Sequence, residues 1–122
     1  NSYNLIPNVT LAESYDNIML PVSKSIPLGL ILNEIVTNSI KYAFKSNHRQ
    51  KGNFTVHIHL NGNTVKLLVK DDGKGFAKNF NEESDSLSLG IYLIKTLAEQ
   101  IDGKVQFSND NGAKIELDFI LN

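Results

Sequence analysis

Two apolar runs joined by an Asn-Gly dipeptide place the strongest constraint on how this chain folds. Apolar side chains occupy every second position of residues 54–60 and again of residues 65–69, which is the period of a half-buried strand. Between the runs lies Asn61-Gly62, a dipeptide typical of tight hairpins. The sequence therefore predicts a hairpin whose second strand ends at Asp71. The alternating positions are Phe54, Val56, Ile58 and Leu60, then Val65, Leu67 and Val69.

The segment before this hairpin predicts two short strands and a helix. The strands are expected at residues 8–13 and 17–22. The helix is expected to carry Pro27 in its first turn, where the missing N–H costs nothing, and to end near Phe44.

The segment after the hairpin predicts a loop, a second helix and a last hairpin. Residues 76–88 are polar and without a period, as in a long loop. An apolar stripe then predicts a helix from Leu89 that Gly103 stops, followed by a hairpin with its turn at residues 109–112. Because hairpins dominate, we expect an α+β fold: a two-layer α/β sandwich with a mixed, mostly antiparallel sheet and both helices on one face.

Composition excludes several classes of function. The 122 residues are 41% apolar and carry a formal net charge of −1, which fits one globular domain without a basic field for nucleic acid. Cysteine is absent, so disulfides and thiolate nucleophiles are excluded. No apolar run approaches the ~20 residues of a membrane span. Since the chain starts without an initiator Met, we expect it to be a fragment of a longer protein.

One side of the predicted first helix carries an unusual set of polar groups. At helical spacing, Glu34, Asn38, Lys41 and Tyr42 share one side. A carboxylate, an amide, an amine and an aromatic ring in register can bind a metal–phosphate group and stack on a base. The alternative is an ordinary solvated face. The opposite, largely apolar side consists of Leu28, Leu32, Ile35, Val36, Ser39 and Ala43.

Two glycine-containing segments offer complementary chemistry. Asp71 ends a strand, and Gly73 and Gly75 follow it, so the backbone can bend sharply while the carboxylate accepts from an exocyclic amine. The alternative is a plain turn. Gly90 stands where the second helix begins, and free N–H groups there favour phosphate, although a simple N-cap at Ser88 also explains the pattern. The spacing of a P-loop is absent.

The histidines predict no catalytic or metal site. His57 and His59 are two apart on one strand face, and no third ligand is evident, so we interpret them as solvent-facing. His48 lies in a polar segment. No Ser/His/Asp set emerges.

Taken in order, these segments resemble a known family. The runs at residues 34–42 (Glu-Ile-Val-Thr-Asn-Ser-Ile-Lys-Tyr), 71–75 (Asp-Asp-Gly-Lys-Gly) and 88–91 (Ser-Leu-Gly-Ile) are similar to the N, G1 and G2 boxes of the catalytic, ATP-binding domain of sensor histidine kinases. That domain has the Bergerat ATP-binding fold, shared with gyrase-like topoisomerases and some chaperones. Residues 27–34 and 88–94 are especially similar to the second histidine-kinase subfamily. The resemblance extends over roughly residues 8–121.

The resemblance implies a role for each matching residue around the phosphates. Asn38 would ligate Mg²⁺ and Lys41 would contact phosphate. The backbones of Leu89 and Gly90 would donate to phosphate. Glu34 occupies the position of the general base of the ATPase relatives, and here an orienting or electrostatic role is expected.

The resemblance also implies an adenine pocket. Tyr42 would line the adenine or stack on it, Asp71 would accept from its amine, and Gly73 and Gly75 would shape the wall. One departure is Ala113, which stands after Gly112 where family members often carry Thr.

The implied function is protein-histidine kinase activity in a two-component signal transduction system. Residues 1–122 would form one catalytic domain that binds ATP and Mg²⁺. It would transfer the γ-phosphoryl group to a histidine on a separate domain of the same protein, in cis or trans. The phosphorelay would continue to the receiver domain of a response regulator. No histidine of this chain matches the acceptor, so the phosphoacceptor and sensor domains are expected outside it.

The resemblance also sets expectations for the parent protein, and two alternatives stay open. We expect a homodimeric parent in the cytoplasm, compatible with anchoring in the inner membrane. The first alternative is a non-catalytic, nucleotide-binding docking module. The second is an ATP-hydrolysing clamp of the topoisomerase or chaperone type, in which Glu34 activates water.

Overall fold

The fold is an α+β sandwich, as predicted. The computed structural model describes residues 9–15, 18–39, 52–73, 75–76 and 89–121, and within them no helix combines the length and apolar character that crossing a membrane requires. The strands are β1 (Val9–Tyr15), β2 (Gly52–Asn61), β3 (Thr64–Asp71), β4 (Lys104–Asn109) and β5 (Ala113–Ile120). The helices are α1 (Val22–Asn38) and α2 (Leu89–Gln100).

The five strands form one mixed sheet in the order β1-β2-β3-β5-β4. β1 pairs with β2 in parallel, and the other three pairs are antiparallel. Both predicted hairpins are present, as β2–β3 and β4–β5. The mixed, mostly antiparallel sheet is therefore confirmed. The first hairpin turns one residue later than expected, because Asn61 still pairs with Thr64 and the loop is Gly62–Asn63.

The core fills the space between the two helices and one face of the sheet. Alternate side chains of β2, β3 and β5 point into it, which confirms the period-2 interpretation of these runs. Lys66 and Asp118, on the outward positions of β3 and β5, form an exposed ion pair. The buried core members are Leu28, Ile31, Ile35, Phe54, Val56, Val65, Leu67, Val69, Ile94, Ala98, Ile101, Ile115, Leu117 and Phe119.

Two predictions for the region around the start of α1 are wrong. Residues 18–21 belong to no strand and Val22 already starts the helix, so the strand predicted at residues 17–22 does not form. Pro27 lies in the second turn of α1 and not in the first. Pro27 and Leu28 are both buried, and this burial offsets part of the cost of the helical hydrogen bond that proline cannot donate. The predicted end near Phe44 lies outside the described residues.

α2 ends at Gln100, three residues before the glycine expected to stop it. Asp102 takes the left-handed conformation, with φ of 53°, and its N–H bonds to the Glu99 carbonyl at 3.0 Å. The Gly103 N–H bonds to the Ala98 carbonyl at 2.8 Å, which completes a Schellman motif. Gly103 is needed for space, because an added Cβ would lie 3.0 Å from Leu117 Cδ1.

Candidate functional site

The C-terminal half of α1 and the first turn of α2 meet at Gly90. A Cβ atom placed on Gly90 would lie 2.5 Å from Asn38 Nδ2 and 3.0 Å from both Asn38 Oδ1 and Glu34 Oε2. Only the missing side chain of Gly90 gives these two polar groups room. The N–H groups at the start of α2 therefore lie beside a carboxylate and an amide from α1, in a position that favours a phosphate and its cation.

Within the part of the chain that the structure describes, Asp71 at the end of β3 accepts three hydrogen bonds. Its Oδ1 accepts from the backbone N–H of Gly73 at 2.9 Å and of Ala113 at 3.0 Å. Its Oδ2 accepts from the hydroxyl of Ser39 at 2.9 Å. A carboxylate has about four lone-pair positions. Counting partners among the described residues, Oδ1 accepts two hydrogen bonds and Oδ2 accepts one, which leaves a lone pair of Oδ2 for a donor on a ligand.

The same hydrogen bond joins the two halves of the site. Ser39 follows Asn38 directly at the end of α1, and its side chain is 8% exposed. Asp71 is 3% exposed, so the bond between them is shielded from water. Because Asn38 faces Gly90 while Ser39 holds Asp71, the end of α1 fixes a phosphate-favouring cluster next to an amine acceptor.

The described residues that follow Asp71 lie against the β4–β5 hairpin. We call residues 71–73 and 75–76 the glycine turn and residues 109–113 the hairpin tip. Gly75 has φ of +77°, and an added Cβ there would lie 2.6 Å from Asn109 Oδ1. An added Cβ on Gly112 (φ +140°) would collide with the Asp71 carbonyl oxygen. Both glycines are therefore required by conformation and by contact.

The structure thus places most of the predicted site residues in two adjoining groups. Glu34, Asn38 and Gly90 form one, and Asp71, Gly73 and Gly75 form the other. Leu89 is the first residue of α2, as expected. Lys41 and Tyr42 lie outside the described residues. The roles given to all of these residues in nucleotide binding stay predictions.

Sequence reasoning missed two contributors. Ser39 lies on the predicted apolar side of the helix and is buried there, and its hydroxyl donates to Asp71, which the sequence does not predict. The sequence predicts Asn109 only as a turn residue, whereas its side chain forms two hydrogen bonds with the backbone of Phe76. A polar residue on an otherwise apolar helix side is the signal that could have identified Ser39.

The donor set beside Gly90 fits Mg²⁺ better than a transition metal. Asn38 and Glu34 supply amide and carboxylate oxygens, the hard ligands that Mg²⁺ takes alongside substrate phosphates. Over the described ranges, no group of three or more His, Asp or Glu side chains is arranged to hold a metal ion.

The histidine pair lies away from this site. The rings of His57 and His59 stack with centroids 5.7 Å apart on the outer face of the sheet. His57 is half-buried and His59 is exposed. They border a hollow of about 290 Å³ together with Lys66, Lys104, Glu116 and Asp118.

The chain is similar to known kinases in sequence. A probable C4-dicarboxylate sensor kinase of Halalkalibacterium halodurans is 28% identical over 95 residues, which are 68% of this chain and 17% of that protein. The serine-protein kinase RsbW of Listeria innocua is 28% identical over 87 residues, which are 61% of this chain and 54% of RsbW. The chain therefore spans only part of the length of these relatives.

The fold is also that of a solved kinase domain. The structure matches the histidine kinase domain of the Erythrobacter litoralis blue-light-activated histidine kinase with a TM-score of 0.81 and 20% identity, covering 93% of this chain and 52% of that one. A family model described as histidine kinase-, DNA gyrase B- and HSP90-like ATPase matches residues 23–122. Since that match covers most of the chain, the protein belongs to the family of histidine kinase-, DNA gyrase B- and HSP90-like ATPases.

Proposed function

We propose that residues 1–122 are the ATP-binding catalytic domain of a sensor histidine kinase, which transfers the γ-phosphoryl group of ATP to a histidine on a separate domain. The observation that carries the proposal is the junction at the end of α1. There Asn38 and Glu34 face the first turn of α2 while Ser39 holds Asp71. This junction supplies acceptors and donors for both ends of one nucleotide.

At the adenine end, Asp71 selects the base. Its remaining acceptor position on Oδ2 suits the exocyclic amine of adenine. Guanine carries a carbonyl at the same ring position, and the Asp71 carboxylate would repel that oxygen. Gly73 and Gly75 form the wall beside the base, and Tyr42 contributes its ring.

At the phosphate end, helix and side chains share the task. The N-terminus of α2, at Leu89 and Gly90, faces the phosphates with free N–H groups and the positive end of the helix dipole. Lys41 contacts phosphate. Asn38 would hold Mg²⁺, which neutralises phosphate charge when bound, and Glu34 orients groups in the pocket. Catalysis by such a site is mainly positioning and charge neutralisation.

The partners follow from the phosphoryl acceptor. The acceptor histidine lies on a phosphoacceptor domain of the same protein, reached in cis or trans within a homodimer in the cytoplasm, and a receiver domain takes the phosphoryl group next. A second candidate, transfer to serine, is favoured by the similarity to RsbW. The docking module and the ATP-hydrolysing clamp remain the non-kinase alternatives.

Phosphoryl transfer is tested on the full-length protein that contains this domain. After incubation with ATP labelled at the γ-phosphorus, we expect a protein-bound label that acid releases and alkali does not, because phosphohistidine is a phosphoramidate. An acid-stable label would indicate transfer to serine. Release of labelled inorganic phosphate without labelled protein would indicate the clamp, and binding without turnover would indicate the docking module.

Asp71→Asn tests the site itself. The Asn amide can keep the acceptor of Asp71 Oδ1, and the Ser39 hydroxyl can rotate to accept, so the fold should persist. An NH₂ group would then face the adenine amine. Losing one charge-assisted hydrogen bond predicts ATP binding weaker by roughly 10- to 100-fold in calorimetric titration with an unhydrolysable analogue.

Asp118→Asn is the matched control. Asp118 pairs with Lys66 on the outer face of the sheet, and its side chain is 47% exposed. We expect wild-type affinity for ATP from this variant. Equal affinities of Asp71→Asn and wild type would contradict the assignment of Asp71 to the adenine amine.

A further inference from the structure

Asn109, the last residue of β4, holds the end of the glycine turn by its side chain. Its Oδ1 accepts from the Phe76 N–H at 2.8 Å, and its Nδ2 donates to the Phe76 carbonyl at 2.9 Å. The side-chain amide thus supplies the pair of hydrogen bonds that a residue of an adjacent antiparallel strand would supply. Phe76 is thereby fixed to β4 although it lies outside the sheet.

Packing reinforces these two bonds. Phe107, two residues before Asn109 on the same face of β4, meets the Phe76 ring edge to face, with centroids 5.9 Å apart and planes at 89°. Gly75, at φ of +77°, lies directly against the Asn109 side chain. The last two residues of the glycine turn therefore rest on one strand edge.

The other half of the hairpin tip holds the start of the same turn. The Ala113 N–H donates to Asp71 Oδ1 at 3.0 Å, and Gly112 leaves no room for a side chain against the Asp71 carbonyl. The glycine turn is thus fixed at both ends by one hairpin. Gly73 and Gly75, which form the adenine wall in the proposed function, lie between the two fixed points.

We propose that Asn109 is a positioning residue for nucleotide binding: by fixing Phe76 it sets the position of the adenine wall relative to the Asp71 carboxylate. This rests on the proposed function, since the wall matters only if the site binds ATP. Without the Asn109 amide, the Gly75–Phe76 end of the turn loses two hydrogen bonds to β4 and is held less firmly, while Asp71 stays held by Ser39 and Ala113. A purine can then tilt away from Asp71 Oδ2, so affinity and base selectivity fall together.

Calorimetry on the 122-residue chain tests this with unhydrolysable ATP and GTP analogues. Asn109→Ala removes both bonds to Phe76, and we expect ATP affinity to fall about tenfold and the ratio of ATP to GTP affinity to narrow. Asn109→Asp keeps the acceptor for the Phe76 N–H but sets a carboxylate oxygen against the Phe76 carbonyl, so its ATP affinity should fall at least as far as that of Asn109→Ala. Asn63→Ala, an exposed asparagine at the opposite end of β3, is the matched control and should bind as wild type does.

The selectivity ratio separates positioning from a purely structural role. A loss of folded protein lowers the binding of ATP and GTP equally, so an unchanged ratio beside a lowered unfolding midpoint would overturn the inference. Wild-type ATP affinity in Asn109→Ala would overturn it as well. If Asn109→Ala does not fold, Asn109→Asp carries the same comparison. A folded wild-type chain that binds no ATP at millimolar concentration would refute the proposed function, and this inference with it.

Discussion

Gly90 has its place in the site because its missing side chain leaves room for two others. In Gly90→Ala, the methyl group would displace the Asn38 amide, whose atoms are the free end of a side chain that can rotate. Alanine also favours the helix by up to about 1 kcal/mol. We therefore expect the free energy of unfolding to change by less than about 1 kcal/mol, while the affinity for Mg-ATP falls about tenfold or more, measured by chemical denaturation and calorimetry.

Gly29→Ala provides the control for this glycine. Gly29 is an exposed residue of α1, and an added Cβ would meet nothing within 4 Å. The substitution should raise stability by roughly 0.5–1 kcal/mol and leave nucleotide binding unchanged. If Gly90→Ala behaved like Gly29→Ala in both measurements, the space beside Gly90 would not be part of the binding site.

Individual residues of the site differ in how far the sequence could predict them. Asp71 and Gly90 could be predicted from the order of the motifs, because each of these residues is itself part of a motif. The helical wheel placed Ser39 on the apolar side correctly, and Ser39 is indeed buried there. Its hydrogen-bond partner, Asp71, comes 32 residues later in the chain. The sequence can therefore mark Ser39 as a polar exception on the apolar side, but only the tertiary structure identifies its partner.

Among the elements, α2 offers a prediction about how a helix ends. Asp102 occupies the left-handed position of the Schellman motif at φ of 53°. This conformation costs a residue other than glycine about 1 kcal/mol. Asp102→Gly should therefore raise the free energy of unfolding by up to about 1 kcal/mol. Asp102→Ala should lower it, because alanine lacks the short polar side chain that helps aspartate adopt this conformation. Urea denaturation of both variants checks the opposite signs.

The elements themselves were largely predictable from period, and the exceptions have physical reasons. The strands of both hairpins and α2 followed from alternation and from an apolar stripe. The apolar run before Pro21 suggested a strand, but α1 begins at Val22 because Leu28, Ile31 and Ile35 continue a helical period into the core. Met19 is 90% exposed, so the apolar character of that run does not reflect burial.

For the molecule as a whole, the site is assembled from distant parts of the chain. α1, the end of β3, the start of α2 and the hairpin tip each contribute, and no two neighbouring elements contain it alone. The order of the motifs predicted which segments meet. The contacts between them depend on the sheet order, in which β5 separates β3 from β4 and so brings the hairpin tip against Asp71.

This arrangement predicts that stability and nucleotide affinity can be changed separately. Leu117 is fully buried in β5, four residues along the strand from Ala113, which bonds to Asp71. Leu117→Ala should lower the free energy of unfolding by about 2–5 kcal/mol, through lost burial and the cavity left behind. The folded fraction should keep its ATP affinity, because no site contact is removed.

The test is thermal unfolding of Leu117→Ala with and without an unhydrolysable ATP analogue. A ligand at about 100 times its Kd stabilises the folded state by about 2.7 kcal/mol, so ATP should restore much of what the cavity removes. Asp71→Asn should show the reverse, with near-normal stability in the absence of ligand and little added by ATP. If Leu117→Ala lost ATP affinity as Asp71→Asn does, the glycine turn would depend on core packing as a whole. The hydrogen bonds of Ser39 and Ala113 would then not be enough to hold Asp71 in place.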